Sequence, residues 1–147
     1  MAYRVVKDAR AWWPVTWTGV TEDGDLIENS IELRFRRLKV DAASAWLADV
    51  VVAQAIEAEP GADLSRVYAE LVARIATDWR GVEAENGDPL RWDVPDGWLS
   101  DLDADGARKP LDAPNVRLLM NEGGMFTAIF KAFRACLSGE EKIRSGN

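Results

Sequence analysis

The chain has 147 residues, 48% of them hydrophobic and 29% charged, a balance that fits one globular domain with a sizeable core. Its formal net charge of −7 disfavours nucleic acids and anionic membranes as partners, because phosphate binding needs clustered Lys and Arg. Histidine is absent and Cys136 is the single cysteine, which excludes histidine-activated nucleophiles, most zinc sites and an intrachain disulfide.

The pattern of residues 11–37 predicts an antiparallel β-hairpin. Trp13, Val15 and Trp17 alternate with polar or small residues before the turn at residues 22–25. After the turn the odd positions are mostly apolar and the even ones mostly charged, as far as Arg36. A period of two on both sides of a Gly-containing turn is typical of a hairpin. Because a lone hairpin is marginally stable in water, we expect its apolar face to rest on the helices that follow.

Four helical segments are predicted after the hairpin from the spacing of apolar residues and from Gly and Pro stop signals. They span residues 42–58, 64–80, 115–121 and 125–138. The second carries an apolar stripe that continues to Trp79, with Gly81 placed to end the helix. Residues 140–147 are predicted to form a polar tail that frays.

A long loop is predicted over residues 82–114, where four prolines and three glycines interrupt any regular pattern. Loops of this length are uncommon unless they are functional or disordered. The sequence therefore predicts a single α+β domain over residues 1–147. It consists of an N-terminal antiparallel β-hairpin packed on a small bundle of about three to five helices, with the long loop before the last helix.

Within that loop, residues 100–112 (SDLDADGARKPLD) match the pattern of a calcium loop. Asp101, Asp103, Asp105 and Asp112 fall at the spacing D-x-D-x-D-G with a carboxylate in the twelfth position. Arg108 stands where such loops keep an apolar residue, and two prolines oppose the outgoing helix. An acidic surface loop is the preferred interpretation, and weak calcium binding is the alternative.

Seven tryptophans could be core anchors, a partner-binding surface or platforms that stack on sugars. In a strand Trp12 points away from Trp13 and Trp17, so we expect Trp12 to be exposed or at an interface.

The basic run at residues 34–39 is interpreted as the solvent face of a strand rather than a nucleic-acid stripe. Two carboxylates suffice for glycoside hydrolysis, but nothing selects a pair, and no catalytic or cofactor-binding constellation is found.

Several short motifs carry a family resemblance. The second strand ends in Leu33-Arg-Phe-Arg-Arg-Leu38, and a helix ending in Asp78-Trp-Arg-Gly-Val82 is followed by Asn86-Gly-Asp-Pro-Leu90. The last helix carries Ala128-Ile-Phe-Lys-Ala-Phe133. In this order the motifs resemble those of the tail assembly chaperones of long-tailed bacteriophages. The resemblance runs through most of the chain and departs at residues 91–109, which look like an insertion.

The resemblance implies a protein that is not an enzyme and needs no cofactor. Such chaperones coat the tape-measure protein during tail assembly, recruit tail-tube subunits, and are absent from the mature virion. We accordingly expect a homo-oligomer in the cytoplasm of the bacterial host, without nucleic-acid or membrane partners. Expected exposure and the aromatic enrichment of interfaces suggest Trp12, Trp92 and Trp98 as partner-binding residues. Their replacement by alanine should weaken partner binding and leave the melting temperature nearly unchanged. The alternative is a calcium- or carbohydrate-binding module that uses the acidic loop at residues 101–112 and exposed tryptophans.

Overall fold

The computed structural model describes residues 2–139, and the polar tail predicted for residues 140–147 lies outside them. A three-stranded antiparallel sheet, in the order β1-β2-β3, and four α-helices make up the described part, which confirms the predicted α+β class. The elements in chain order are β1 (Arg10–Val20), β2 (Leu26–Arg36), α1 (Val40–Ile56), α2 (Leu64–Ile75), β3 (Ala76–Arg80), α3 (Pro114–Met120) and α4 (Met125–Ser138).

The predicted hairpin is present and pairs without a break from Arg10 opposite Arg36 to Val20 opposite Leu26. Gly24 lies in the connecting turn with φ of 87°, a left-handed conformation that glycine adopts at no steric cost. The odd-numbered positions along both strands form the inner face. They include the buried side chains of Trp13, Val15, Ile31, Leu33 and Phe35. The even-numbered positions form the outer face of the sheet.

The helix predicted over residues 64–80 is too long, because α2 ends at Ile75 and the following five residues form β3. The backbone becomes extended at Ala76, and Trp79 pairs with Leu33 of β2. Trp79 is buried, as expected from the apolar stripe, but it lies in a strand and not in a helix. A spacing of four residues from Ile75 to Trp79 fits a period of two as well as a helical turn, so the spacing alone could not separate the two structures.

An aromatic cluster forms the centre of the core between α1, α4 and the sheet. The indole of Trp46 is 1% exposed and donates from Nε1 to the Leu71 carbonyl at 2.9 Å. Its ring centroid lies 5.0 Å from that of Phe133 and 5.7 Å from that of Phe130. Phe133 in turn contacts Phe35 of β2 at 5.5 Å. The cluster therefore joins the first helix, the last helix and the hairpin, as expected for the apolar face of the hairpin.

The segment between β3 and α3 is fixed to the body through polar contacts. The Asp93 carboxylate accepts the backbone N–H groups of Asn115 and Val116, at 2.7 and 3.2 Å. Asp93 thus caps α3, which begins at Pro114. The Asn115 side chain donates to the Arg91 carbonyl at 2.9 Å. The cap comes from 22 residues earlier in the chain, which a local pattern does not reveal.

Candidate partner-binding surface

Trp12 lies on the outer face of the sheet, on the side expected from the strand alternation. It is half-buried and stands opposite Arg34 of β2. The Arg80 guanidinium of β3 lies 4.0 Å from the centroid of the Trp12 ring, and that of Arg34 lies 5.7 Å away. Arg80 also forms a two-point contact with Glu32, at 3.0 and 3.1 Å. Trp12 therefore belongs to a row of stacked and paired side chains that crosses all three strands.

Trp92 and Trp98 belong to the segment at residues 91–109 and differ in exposure. Trp92 is half-buried and packs edge-on against Trp79, with ring centroids 5.3 Å apart. Trp98 is 5% exposed, and its Nε1 donates to the Lys109 carbonyl at 2.9 Å. Trp92 and Trp98 line one cleft, which Trp12 does not line. The binding role of the three tryptophans stays a prediction, but the exposure on which it rested is absent at Trp98.

Trp98→Ala is expected to lower the free energy of unfolding by about 1–3 kcal/mol, because it removes a buried ring and an indole hydrogen bond. This reverses the expectation from sequence, in which an exposed Trp98 could be truncated without loss of stability. Urea unfolding followed by circular dichroism measures the change, with Trp92→Ala as the half-buried comparison. A Trp98→Ala protein as stable as the parent would show that Trp98 does not fix this segment.

The acidic loop forms a tight turn around the side chain of Asp103. The Asp103 carboxylate accepts the backbone N–H groups of Asp105 and Ala107, at 2.8 and 3.0 Å. Asp101 pairs with Lys109 at 3.1 Å, while Asp112 is exposed. In residues 2–139 no group of three or more His, Cys, Asp or Glu side chains is arranged to hold a metal ion. The spacing predicted four ligands, but the backbone and Lys109 already use two of those carboxylates.

Asp103→Ala is expected to destabilise the protein by about 1 kcal/mol, because two backbone N–H groups lose their acceptor. Asp105→Ala is the matched control and should change stability by less than about 0.5 kcal/mol. Millimolar calcium should leave the melting temperature of all three proteins unchanged. A calcium-dependent rise in the parent that both variants abolish would instead restore the calcium site.

Helix α1 carries an exposed apolar stripe in addition to its core face. Val40, Leu47 and Val51 are 82%, 38% and 64% exposed. At 100° per residue they fall within about 40° of one another around the helix axis. Ser44, also exposed, lies between them, so the spacing is four, three and four residues. We call these four residues the outer stripe of α1.

The outer stripe is distinct from the buried stripe of the same helix. The buried stripe consists of Trp46, Val50 and Ala53, and it lies roughly 110° around the axis from the outer one. Leu47 and Val51 directly follow Trp46 and Val50 in the sequence, but both are exposed and lie on a different face. The composition of the helix could have indicated the second apolar face. α1 has 17 residues but only two charged ones, Asp41 and Asp49, so it is apolar nearly all round.

The motifs behind the family resemblance lie close together in the fold. Leu33 and Phe35 point into the core, while Trp79 pairs with Leu33 and donates from Nε1 to the Leu90 carbonyl at 2.6 Å. Asn86 and Asp88 form the turn before Leu90, with the Asn86 side chain accepting the Asp88 N–H at 3.0 Å. These contacts give the motif residues a structural role in joining β2, β3 and the following turn.

Comparisons of the chain with protein-family models, with curated proteins and with solved structures give no match. Within residues 2–139, no helix combines the length and the apolar character needed to cross a membrane.

Proposed function

We propose that the chain is a tail assembly chaperone of a long-tailed bacteriophage. It binds the tape-measure protein, helps to recruit tail-tube subunits and leaves before the virion is complete. It acts in the cytoplasm of the host as a homo-oligomer, and it is not an enzyme. The outer stripe of α1 carries this proposal, and the motif resemblance supports the kind of partner.

The stripe has the spacing that packs against a second helix. Residues three and four apart form the ridge that enters the groove of a neighbouring helix, and alternation of these spacings gives a coiled-coil-like seam. Val40, Leu47 and Val51 supply apolar side chains along that seam, and Ser44 allows the partner backbone to approach. An amphipathic helix docked here would bury apolar area that α1 leaves in water.

A long helical tape-measure protein fits this surface because it exposes apolar stripes along its length before the tail closes around it. One short α1 covers only a small part of such a stripe, since 17 residues of helix span about 26 Å. Many copies are then needed along the partner, which is consistent with self-association. The net charge of −7 favours solubility of the coated complex.

The first experiment is to sequence the DNA that flanks the gene and to co-express the encoded neighbours. We expect a very long, helical reading frame between tail-tube and tail-tip genes. Its product should be insoluble alone and should co-purify with this chain when the two are expressed together. An unrelated gene neighbourhood, or a long helical protein that stays insoluble beside this chain, would overturn the proposal.

A further inference from the structure

A cleft of about 300 Å³ lies where the ends of β1 and β2 and the start of β3 meet the segment at residues 92–100. Three arginines line it, although the chain carries a net charge of −7. Arg10, Arg34 and Arg36 occupy even positions of β1 and β2, so all three project from the outer face of the sheet, and Arg10 stands opposite Arg36.

The hydrogen bonds and charges of the cleft arginines leave room for an anion. Arg34 donates from Nε to the Thr77 hydroxyl at 2.7 Å, which fixes the side chain at the wall of the cleft. Within the described part of the chain, the buried Nε of Arg36 has no hydrogen-bond partner. Burial lowers the pKa of Arg36 below the usual value for a guanidinium; Asp8 opposes the shift, while Arg10 and Arg34 add to it. An anion brought into the cleft would offset the repulsion between the guanidinium groups.

We propose that this cleft binds a carboxylate that is presented beside an apolar group, as in an acidic segment or a chain terminus of a protein partner. Asp8 shows that the cleft arginines accept a carboxylate, because its two oxygens lie 3.0 Å from Arg10 and 3.6 Å from Arg36. Beyond its Nε bond to Thr77, Arg34 keeps its terminal N–H groups for a second carboxylate. Guanidinium groups match the planar geometry of carboxylates through paired N–H donors.

The lining residues and the net charge of the cleft suit a ligand that has one negative charge beside an apolar group. Trp92, Val94 and Leu99 also line the cleft and offer apolar surface. Asp8 pairs with the arginines and Asp96 lines the cleft. Three cationic side chains against two anionic ones leave a small positive excess, which suits a carboxylate better than a dianionic phosphate. The site is separate from the outer stripe of α1 and does not depend on the chaperone proposal.

The test is a titration of isotope-labelled full-length protein, followed through the indole N–H signals of Trp92 and Trp98 at constant ionic strength. The probes are N-acetyl-leucine, which carries an α-carboxylate, and the capped dipeptide acetyl-Glu-Leu-amide, which carries a side-chain carboxylate. N-acetyl-leucinamide is the uncharged control and inorganic phosphate the competing anion. We expect saturable shifts with at least one carboxylate probe, and the tighter of the two identifies the source of the carboxylate.

Two variants should change the affinity in opposite directions. Arg36→Gln is expected to weaken binding by about tenfold or more, because a charged donor pair is lost. Asp8→Asn is expected to tighten it by about two- to fivefold, because the competing carboxylate of an exposed ion pair is removed. Arg37→Gln removes a charge from an exposed neighbour outside the cleft and should have no effect.

The proposal is overturned if the carboxylate probes give no saturable shift, or if N-acetyl-leucinamide binds as well as they do. Tighter binding of phosphate than of either carboxylate would overturn the ligand assignment. Weaker binding in Asp8→Asn would also overturn it, because Asp8 would then be part of the site rather than a competitor. A general loss of structure in Arg36→Gln cannot mimic the gain that is expected in Asp8→Asn.

Discussion

Trp46→Ala is expected to destabilise the protein by about 3–5 kcal/mol, the range for truncating a buried aromatic side chain. Trp46 is 1% exposed and contacts Phe126, Phe130 and Phe133 of α4. Its loss would open a cavity at the point where α1 and α4 meet, and the Nε1 bond to Leu71 would be lost as well. Since a domain of this size is stable by about 5–15 kcal/mol, much of that stability would disappear.

Urea unfolding measured by far-ultraviolet circular dichroism gives the change in the free energy of unfolding. Two further variants serve as comparisons. Trp46→Phe keeps a ring in the cluster and loses the indole donor, so a smaller loss of about 1 kcal/mol is expected. Trp12→Ala removes a half-buried tryptophan from the outer face, together with its stacking on Arg80, and should cost about 1 kcal/mol. A larger loss for Trp12→Ala than for Trp46→Ala would contradict the placement of the core.

The hairpin and α4 were predictable because each has its own period. Strand residues from Trp13 to Phe35 alternate every second position, and Phe126 to Leu137 repeat with a helical period, so local order and burial agree. The last helix, predicted over 125–138, occupies those residues in the structure. The strand β3 has no periodic pattern of its own. Ala76–Arg80 is extended because it pairs with β2, and these hydrogen-bond partners are present only in the folded chain.

For the candidate sites, too, the sequence shows the spacing of residues but not the contacts that form on folding. The spacing of Asp101, Asp103 and Asp105 was visible, but the use of the Asp103 carboxylate by the backbone depends on the turn that the loop adopts. Trp98 is buried, and its indole N–H donates to the carbonyl of Lys109, eleven residues away. The sequence of α1 has apolar residues on most sides of the helix, so it indicates more than one apolar stripe. Which stripe faces the core depends on how the helix packs against α2 and α4.

The second large effect concerns the outer stripe of α1. Leu47→Asp combined with Val51→Asp should weaken binding to the helical partner at least about a hundredfold, or roughly 2.7 kcal/mol. The reason is that both carboxylates would be buried, unpaired, in a helix–helix seam. Because Leu47 and Val51 are 38% and 64% exposed in the free protein, the free energy of unfolding should fall by no more than about 1 kcal/mol.

The matched control adds the same two charges at exposed leucines of other elements. Leu26 at the hairpin tip and Leu118 on α3 are 75% and 57% exposed, so Leu26→Asp combined with Leu118→Asp should bind as the parent does. Co-purification with the long helical protein measures partner binding, and light scattering after size-exclusion chromatography measures self-association. Equal loss in both double variants would trace the effect to net charge and remove the stripe as the binding surface. Loss of self-association with partner binding intact would mean that the stripe joins copies of this chain, and the partner site would then have to lie on another face.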